Sequence, residues 1–218
     1  MNISSIVKLL IVDEVHLLND ERGPVIETIV SRTQRQVETS QSMIRIVGLS
    51  ATLPNPKDVG KFLGVSESTG LFHFDNRYRP VPLHQSFLGV KDRNAFERQK
   101  RLNELAYKKA IQAIKGGKQA MIFVHSRKET ARTARSLREH STYNDEAMLF
   151  DCSDAEGISE MNKEIKRSRN KEIQEFFPHG LGVHHAGMLR SDRSLMERAF
   201  RCGALKVLVC TGMSMSNQ

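Results

Sequence analysis

The chain has 218 residues, of which 39% are hydrophobic and 27% are charged, a balance typical of a folded globular protein and not of a disordered one. Its three cysteines show neither the paired spacing of a zinc site nor the even count of a disulfide scaffold, which favours a reducing compartment. The longest apolar run near the N-terminus is too short for a signal-peptide core or a membrane span, so no membrane partner is expected.

The formal net charge of +8 is concentrated in residues 91–140, where 14 Lys or Arg stand against five Asp or Glu. Such a block is typical of proteins that bind a phosphate backbone, because each neutralised phosphate releases counterions. The alternative is a pair of solvated helix faces that bind nothing. Charge alone leaves both interpretations open.

The N-terminal part alternates strand and helix patterns. A short, wholly apolar run predicts a buried strand, whereas apolar residues at a spacing of about 3.6 predict a helix. The predicted elements are strands over residues 8–12, 43–49 and 71–74 and helices over residues 23–38 and 55–64. A proline-containing segment, residues 76–90, is expected to link this part to the next.

The C-terminal part repeats the alternation. Strands are predicted over residues 119–124, 181–185 and 205–210, and helices over 93–115, from Ser126 to beyond Leu137, over 158–177 and over 191–202, with Ser126 and Ser191 as caps and a mobile polar insert at 141–156. Alternating strands and helices indicate parallel sheets. The predicted fold class is therefore α/β, with two lobes of mainly parallel sheet covered by helices.

Two acids, Asp13 and Glu14, follow the first predicted strand. Ligands of open α/β sheets bind beyond the carboxyl ends of the strands, where an Asp can hold Mg²⁺ and a Glu can accept a proton from water attacking a γ-phosphate. The same two acids could simply form a turn. The hydroxyls of Ser50 and Thr52, at the end of the neighbouring strand, favour the functional interpretation because they can hydrogen-bond beside the acids.

Several ordered motifs carry a resemblance to a known family. The sequences DEVHLL at 13–18, GLSATLPN at 48–55, FVHSR at 123–127 and HHAGM at 184–188 resemble motifs of superfamily two DExH-box helicases of the superkiller-type branch. Within it, the chain is most similar to the very large helicases with two cassettes, and the intact Ser-Ala-Thr triplet indicates the first cassette. The resemblance covers residues 8–211.

The resemblance implies a domain organisation and roles for the residues of the first lobe. Residues 1–75 would be the C-terminal part of a first RecA-like lobe, and residues 91–218 the N-terminal part of a second. Asp13 would bind the Mg²⁺ of Mg-ATP and Glu14 would orient and deprotonate water. His16, Ser50 and Thr52 would couple the nucleotide state to strand movement.

In the second lobe, the resemblance implies contacts with a nucleic-acid backbone. Hydroxyl, imidazole and guanidinium groups suit phosphate contacts that position a strand without reading its bases. The implied residues are His125, Ser126, Arg127, His184, His185, Gly187 and Met188. The alternatives are structural histidines and a surface arginine; a metal site at the histidines is not favoured, since Cys partners and a His-Glu-x-x-His sequence are missing. After Thr211 the sequence departs from the family pattern, which puts a role for Thr211 in doubt.

The resemblance implies ATP-dependent unwinding with 3′ to 5′ movement, ATP and Mg²⁺ as cofactors, and a single strand of RNA or DNA as partner. Other subunits of a large helicase complex are further expected partners, and the resemblance favours the nucleus, with the cytosol as the alternative.

The 218 residues contain no Gly-x-x-x-x-Gly-Lys-Ser/Thr phosphate loop and no motif VI with its arginine finger. An arginine finger alone is worth about 10³ to 10⁵ in rate. We therefore expect a partial helicase, a fragment that is inactive on its own. The alternative is a non-catalytic module that binds nucleic acid or a helicase partner through residues 91–140, and a third interpretation is an unrelated α/β phosphohydrolase.

Overall fold

Residues 6–212 are described in a computed structural model of the chain. The chain divides into two units, Met1–Gln85 and Ser86–Gln218, and the division falls inside the segment that the sequence predicts to be a linker. Each unit is described by itself. No helix of the described residues is both long enough and apolar enough to cross a membrane.

Unit 1 is built around two parallel strands. Strand β1 (Leu9–Val12) pairs in register with β2 (Arg45–Gly48), so that Val12 lies opposite Gly48. Helix α1 (Gly23–Ser40) forms the crossover between them and has proline in its first turn, where the missing N–H costs no hydrogen bond. Helix α2 (Pro56–Phe62) follows β2 and begins in the same way.

The core of unit 1 lies on one face of this sheet. Val15, Val30 and Leu63 are buried, and Val12 and Ile46 pack against them. Alternate residues of β1 point the other way, and Leu9 and Ile11 are 50% and 57% exposed. Within the described residues, the helices of unit 1 therefore cover one face of its sheet.

Unit 2 contains a three-stranded parallel sheet in the order β3-β5-β4. Its strands are β3 (Ala120–Val124), β4 (Leu181–His184) and β5 (Val207–Thr211), and its helices are α3 (Ala95–Lys115), α4 (Arg127–Tyr143), α5 (Ile158–Arg167), α6 (Lys171–Phe176) and α7 (Arg190–Arg201). The central strand β5 is buried from Val207 to Cys210, as expected for an apolar parallel strand covered on both faces. The predicted α/β fold class, with parallel sheets and helices packed on them, is confirmed.

The predicted strand at residues 71–74 is wrong. This segment has no regular secondary structure and pairs with no strand among the described residues, and the side chains of Phe72 and Phe74 are exposed. An apolar run becomes a strand only where a neighbouring edge accepts its backbone hydrogen bonds.

The helix predicted over residues 158–177 is two helices. Helix α5 ends at Arg167, and Asn170 starts α6 by accepting hydrogen bonds from the backbone N–H groups of Glu172 and Ile173 through its side chain. Asparagine is among the preferred residues at this capping position, and a cap inside an otherwise helical pattern restarts the helix.

Two further expectations need correction. Residues 141–156 are not a loose insert, because a 3₁₀ turn at Ala147–Phe150 buries the Phe150 side chain to 3% exposure in the core. Helix α7 begins at Arg190 after Leu189, so Ser191 lies inside the helix and does not cap it. Ser126, in contrast, caps α4 as predicted, since its Oγ accepts a hydrogen bond from the Glu129 N–H.

Two glycines with positive φ, Gly180 and Gly203, differ in the space around them. Gly180 precedes β4 with φ +64°, and a Cβ there would lie 2.1 Å from the Phe150 carbonyl oxygen. Gly203 follows α7 with φ +82°, but a Cβ there would meet nothing within 4 Å. We expect Gly203→Ala to cost roughly 1–2 kcal/mol of unfolding free energy, from the left-handed conformation alone.

Gly180→Ala should cost about 3 kcal/mol or more, because the clash with backbone adds to the same conformational cost. Urea unfolding followed by circular dichroism compares the two variants. Equal losses would contradict the close approach of the Phe150 carbonyl to Gly180.

Candidate functional site

The carboxyl ends of β1 and β2 lie side by side in unit 1. Backbone pairing continues past the strands. The Leu49 N–H donates to the Val12 carbonyl oxygen at 2.8 Å, and the Val15 N–H donates to the Leu49 carbonyl oxygen at 2.9 Å. This pairing holds the segment after β1 against the segment after β2. Asp13 and Glu14 therefore face the residues that follow Leu49.

Glu14 has an unusual backbone. It lies in the left-handed region, with φ 55° and ψ 43°, although it is not a glycine. Its N–H donates a hydrogen bond of 2.9 Å to Asp13 Oδ1, which supports the turn. A non-glycine residue in this region costs free energy and is enriched at functional sites. Both side chains are exposed, so the strain places two accessible carboxylates at the end of the strand.

His16 connects the two strand ends. Its Nδ1 accepts a hydrogen bond from the Ala51 backbone N–H at 3.3 Å, and its Nε2 lies 3.1 Å from Glu14 Oε2. Because Nδ1 is an acceptor, the ring proton is on Nε2, which donates to the Glu14 carboxylate. The imidazole thus joins the carboxylate after β1 to the backbone after β2.

The two predicted hydroxyl residues flank this connection. Ser50 Oγ donates a hydrogen bond of 2.9 Å to the Ala51 carbonyl oxygen, and Ser50 and Thr52 are both exposed. Sequence reasoning missed the Ala51 backbone N–H, which makes the actual contact with His16. A backbone donor has no residue type of its own, so the only signal was its place between the two hydroxyls.

A cleft of about 310 Å³ opens beside the two acids. Asp13 and Glu14 line it together with Arg22 and the apolar side chains of Leu17, Val25 and Ile26. Arg22 was not predicted as a site residue; it brings a positive charge into the same cleft. The cleft therefore combines two carboxylates and one guanidinium on an apolar base.

The residues at this site fit the Mg²⁺ that the resemblance implies. Asp13 Oδ1 accepts a hydrogen bond from the Glu14 N–H, and no hydrogen bond in the described part of the chain involves Asp13 Oδ2. The described residues contain no group of three or more His, Cys, Asp or Glu that could hold a metal. Mg²⁺ is commonly held by one or two carboxylates, waters and substrate phosphates, so a single exposed carboxylate fits that mode.

In unit 2, the predicted backbone-binding residues follow β3 and β4. His125, Ser126 and Arg127 come after β3 and are exposed. The Arg127 side chain lies against Gly187, after β4, where an added Cβ would be 2.8 Å from Arg127 Nη1. Glycine at position 187 thus lets the guanidinium lie close to the backbone, and residues from the two strand ends meet.

His185 belongs to the same edge. Its Nδ1 accepts a hydrogen bond from the Gly187 N–H at 3.2 Å. Partial burial lowers the pKa of His185, and the nearby charges of Arg127 and His184 act in the same direction, against an opposing effect of Glu172. A lowered pKa keeps this imidazole neutral at neutral pH, with its proton on Nε2.

Two of the predicted residues do not reach this surface. The His184 side chain is 0% exposed and its Nε2 lies 2.6 Å from Glu197 Oε1, while Met188 is buried in the core of the unit. A direct contact with a nucleic-acid strand does not fit either side chain. The physical reason is strand alternation and the turn at 185–188, which send neighbouring side chains in different directions.

Thr211 ends β5 opposite Val124, between the ends of the two outer strands. The departure of the sequence from the family pattern falls on residues 212–218, and 213–218 lie outside the described residues. Thr211 therefore stands at the same edge as His125 and His185, but no role is assigned to it, because the sequence after it departs from the family pattern.

The basic block of residues 91–140 is partly neutralised inside unit 2. Five of its cations form ion pairs with carboxylates of the same unit: Arg101, Lys115, Arg132, Arg135 and Arg138. The formal charge of this block therefore overstates the number of cations that a phosphate backbone could find.

Residues 2–59 match the family model of the DEAD/DEAH box helicases. The chain is 56% identical over 211 residues to the DExH-box ATP-dependent RNA helicase DExH14 of Arabidopsis thaliana, across 97% of this chain and 10% of the relative. It is 54% identical over 209 residues to activating signal cointegrator 1 complex subunit 3 of Danio rerio, across 96% of this chain and 14% of the relative.

It is also 50% identical over 206 residues to the RQC trigger complex helicase SLH1 of Saccharomyces cerevisiae, across 94% of this chain and 10% of that protein. The chain thus spans 10% to 14% of the length of these relatives. This identity extends over the acidic strand end and its histidine partner, so the chain matches a segment of DExH-box helicases.

Proposed function

We propose that unit 1 provides the magnesium- and water-handling part of ATP hydrolysis in an ATP-dependent RNA helicase. The observation that carries this proposal is the His16 bridge between Glu14 Oε2 and the Ala51 N–H. The matching family model and the name of the Arabidopsis relative support ATP as the nucleotide and RNA as the partner. The name of the Danio relative supports work within a multi-subunit complex.

We assign a separate task to each group. Asp13 would hold Mg²⁺ through Oδ2; the ion, when bound with ATP, neutralises charge on the phosphates. Glu14 has one oxygen engaged by His16 and keeps the other for a water proton. His16 holds the Glu14 carboxylate in place, so that a shift of the Ser50 to Thr52 segment moves the carboxylate as well.

The exposed edge of unit 2 would hold the RNA backbone. Arg127 supplies a fixed positive charge, His125 and His185 supply imidazole donors, and Ser126 supplies a hydroxyl. His184 lies behind this edge and, through Glu197 on α7, positions the turn that carries His185 and Gly187. These contacts suit a single strand whose sequence is not read.

A chimera tests the role of unit 1. Residues 8–211 of this chain would replace the matching segment of the Arabidopsis relative, and RNA-stimulated phosphate release would be measured. We expect the chimera to hydrolyse ATP and Glu14→Gln to slow it by about 10²- to 10⁴-fold, the usual contribution of a general base. Glu21→Gln is the matched control, because Glu21 is an exposed acid in the turn before α1; this substitution should leave the rate unchanged.

His16→Ala in the same chimera should lower the rate less than Glu14→Gln, because it releases the carboxylate without removing it. An inactive wild-type chimera, or a Glu14→Gln chimera with the full rate, would rule out the proposed role of this segment.

For the 218-residue chain alone, we propose that ATP hydrolysis is not measurable, because its sequence contains no phosphate-loop lysine to bind the β- and γ-phosphates. The purified chain, with Mg-ATP and with or without RNA, should release phosphate no faster than its Glu14→Gln variant. Saturable hydrolysis that Glu14→Gln abolishes would disprove this part of the proposal.

Salt dependence of RNA binding tests unit 2. The 218-residue chain should bind a single-stranded RNA of mixed sequence, with an affinity that falls as salt rises. Arg127→Gln should weaken binding and reduce the slope of log K against log salt by about 0.7, the value for one lost phosphate contact on a single strand. Arg132→Gln, on the solvent side of α4 and paired with Glu129, is the control and should change neither.

The second candidate function is a non-catalytic module that binds nucleic acid, and the exposed, partly unpaired basic side chains of α3 and α4 favour it. The two candidate functions predict different effects of the Arg127→Gln substitution on RNA binding. If binding depends on the basic block as a whole, Lys100→Gln and Lys109→Gln should each reduce the slope as much as Arg127→Gln does. A loss confined to Arg127 instead supports the strand-end edge.

A further inference from the structure

The segment of residues 166–171, here called the basic turn, runs from the end of α5 to the first residue of α6. Four of its six residues are cations with exposed side chains: Lys166, Arg167, Arg169 and Lys171. In the described part of the chain, none of the four takes part in an ion pair or a side-chain hydrogen bond. The basic turn differs in this respect from the block at 91–140, in which five cations are paired.

The backbone of the basic turn is held by serine and amide side chains. Ser168 Oγ donates a hydrogen bond of 2.9 Å to Asp192 Oδ1 on α7 and accepts one of 3.0 Å from the Asn170 N–H. Gln174 Nε2 donates a hydrogen bond of 2.8 Å to the Ser168 carbonyl oxygen. The four cations are therefore not needed to hold the turn in place.

The electrostatics of the helices account for only part of these charges. Lys166 and Arg167 end α5, where the partial negative charge of a helix C-terminus favours cations. Lys171 and Arg190 are the first residues of α6 and α7, where the partial positive charge of a helix N-terminus disfavours them. Lys171 and Arg190 therefore gain nothing from their own helices, whereas a negatively charged partner would stabilise both.

The surface around the basic turn stays positive when its acids are counted. Seven Lys or Arg stand against three Asp or Glu over residues 163–172 and 190–193. Of the three acids, Asp192 is 6% exposed and bonded to Ser168, and Glu164 is paired with Arg198. Glu172 is half-buried. The excess of cations therefore faces solvent.

The basic turn lies next to the strand-end edge, the edge of unit 2 that carries Arg127 and His185. Helix α7 begins shortly after β4 ends, and its Asp192 is bonded to the basic turn. Burial lowers the pKa of His185 and the charge of Glu172 acts in the opposite direction, which places the start of α6 near this ring. The basic turn, the start of α7 and the strand-end edge thus lie at the same end of the sheet.

We propose that a bound RNA strand continues from the strand-end edge onto the basic turn and Arg190, whose cations hold further phosphates of its backbone. The inference rests on the proposed function of unit 2 and lengthens its RNA site. Arginine forks and lysine ammonium groups both bind phosphates without reading bases. Continuity with the strand-end edge favours nucleic acid over an acidic segment of a protein.

RNA length separates the two parts of this site. The affinity of the 218-residue chain would be measured against salt for single-stranded RNAs of four and of 12 nucleotides, because the shorter one has too few phosphates to span both surfaces. The test variant, Arg169→Gln/Lys171→Gln, removes two cations and no hydrogen bond. The matched control, Lys118→Gln/Arg201→Gln, removes two exposed cations at the opposite end of the sheet, where Gln119 Nε2 bonds the Phe200 carbonyl oxygen.

With the longer RNA, the test variant should reduce the slope of log K against log salt by about 1.4, since each lost phosphate contact on a single strand is worth about 0.7. Its binding of the four-nucleotide RNA should be nearly unchanged, because the strand-end edge is intact. The control variant should bind both RNAs as the wild type does.

An unchanged slope in the test variant, or an equal change in the control variant, would overturn the inference. If Arg127→Gln still lowers the slope in that case, the strand-end edge keeps its proposed role and only the basic turn loses it. An effect of the test variant without an effect of Arg127→Gln would contradict the strand-end edge and support phosphate contacts at the basic turn.

A polyglutamate peptide of about the same length and charge as the longer RNA is the remaining arm of the test. We expect it to bind more weakly than the RNA, because its carboxylates do not match the spacing of a sugar-phosphate backbone. If it binds as tightly and loses as much affinity in the test variant, the basic turn binds acidic protein segments and the inference fails.

Discussion

Parallel pairing of β1 and β2 is the constraint on which the candidate site depends. The register sets Val12 opposite Gly48, and the backbone bonds of Leu49 and Val15 extend the pairing beyond the strands. Only in this register does the His16 ring reach the Ala51 N–H while also holding Glu14. A slip of one residue would send each side chain to the opposite face and separate the acids from the hydroxyls.

The same principle sorts the residues of unit 2. His184 and His185 are adjacent, yet one is fully buried against Glu197 and the other lies at the sheet edge beside Arg127. Among the described residues, no group hydrogen-bonds to Nδ1 of the buried His184 ring. Such an unpaired buried nitrogen costs free energy, which the contact of Nε2 with Glu197 offsets in part. The edge that faces a ligand thus rests on a polar contact inside the core.

The net charge of the chain does not show which cations are available at the surface. Internal ion pairs, such as the fork of Arg135 and Arg138 around Glu175, use several cations of the basic block to join α4 to α6. Partly exposed pairs of this kind contribute about 1 kcal/mol each, so their main effect is to neutralise cations that would otherwise face solvent. At the strand-end edge, Arg127 remains as an exposed cation.

By itself, the sequence determined the features that depend on near neighbours. The apolar run before Asp13, the Gly23-Pro24 start of α1 and the Ser126 cap of α4 each report on the local backbone, and the α/β alternation followed from them. The proximity of the acids after β1 and the hydroxyls after β2 was predictable, because the carboxyl ends of neighbouring parallel strands lie at one edge of the sheet.

Only the tertiary structure decided the rest, because burial and pairing depend on partners that are distant along the chain. Residues 71–74 found no strand edge, Phe150 found the core, and His184 and Met188 turned inward despite belonging to a motif expected to contact nucleic acid. The hydrogen bond from the Ala51 N–H to His16 could not be predicted, because a backbone N–H is present at almost every position of the chain. Tyr107 meets Glu146, 39 residues later, through a hydrogen bond that depends on folding and that no local pattern predicts.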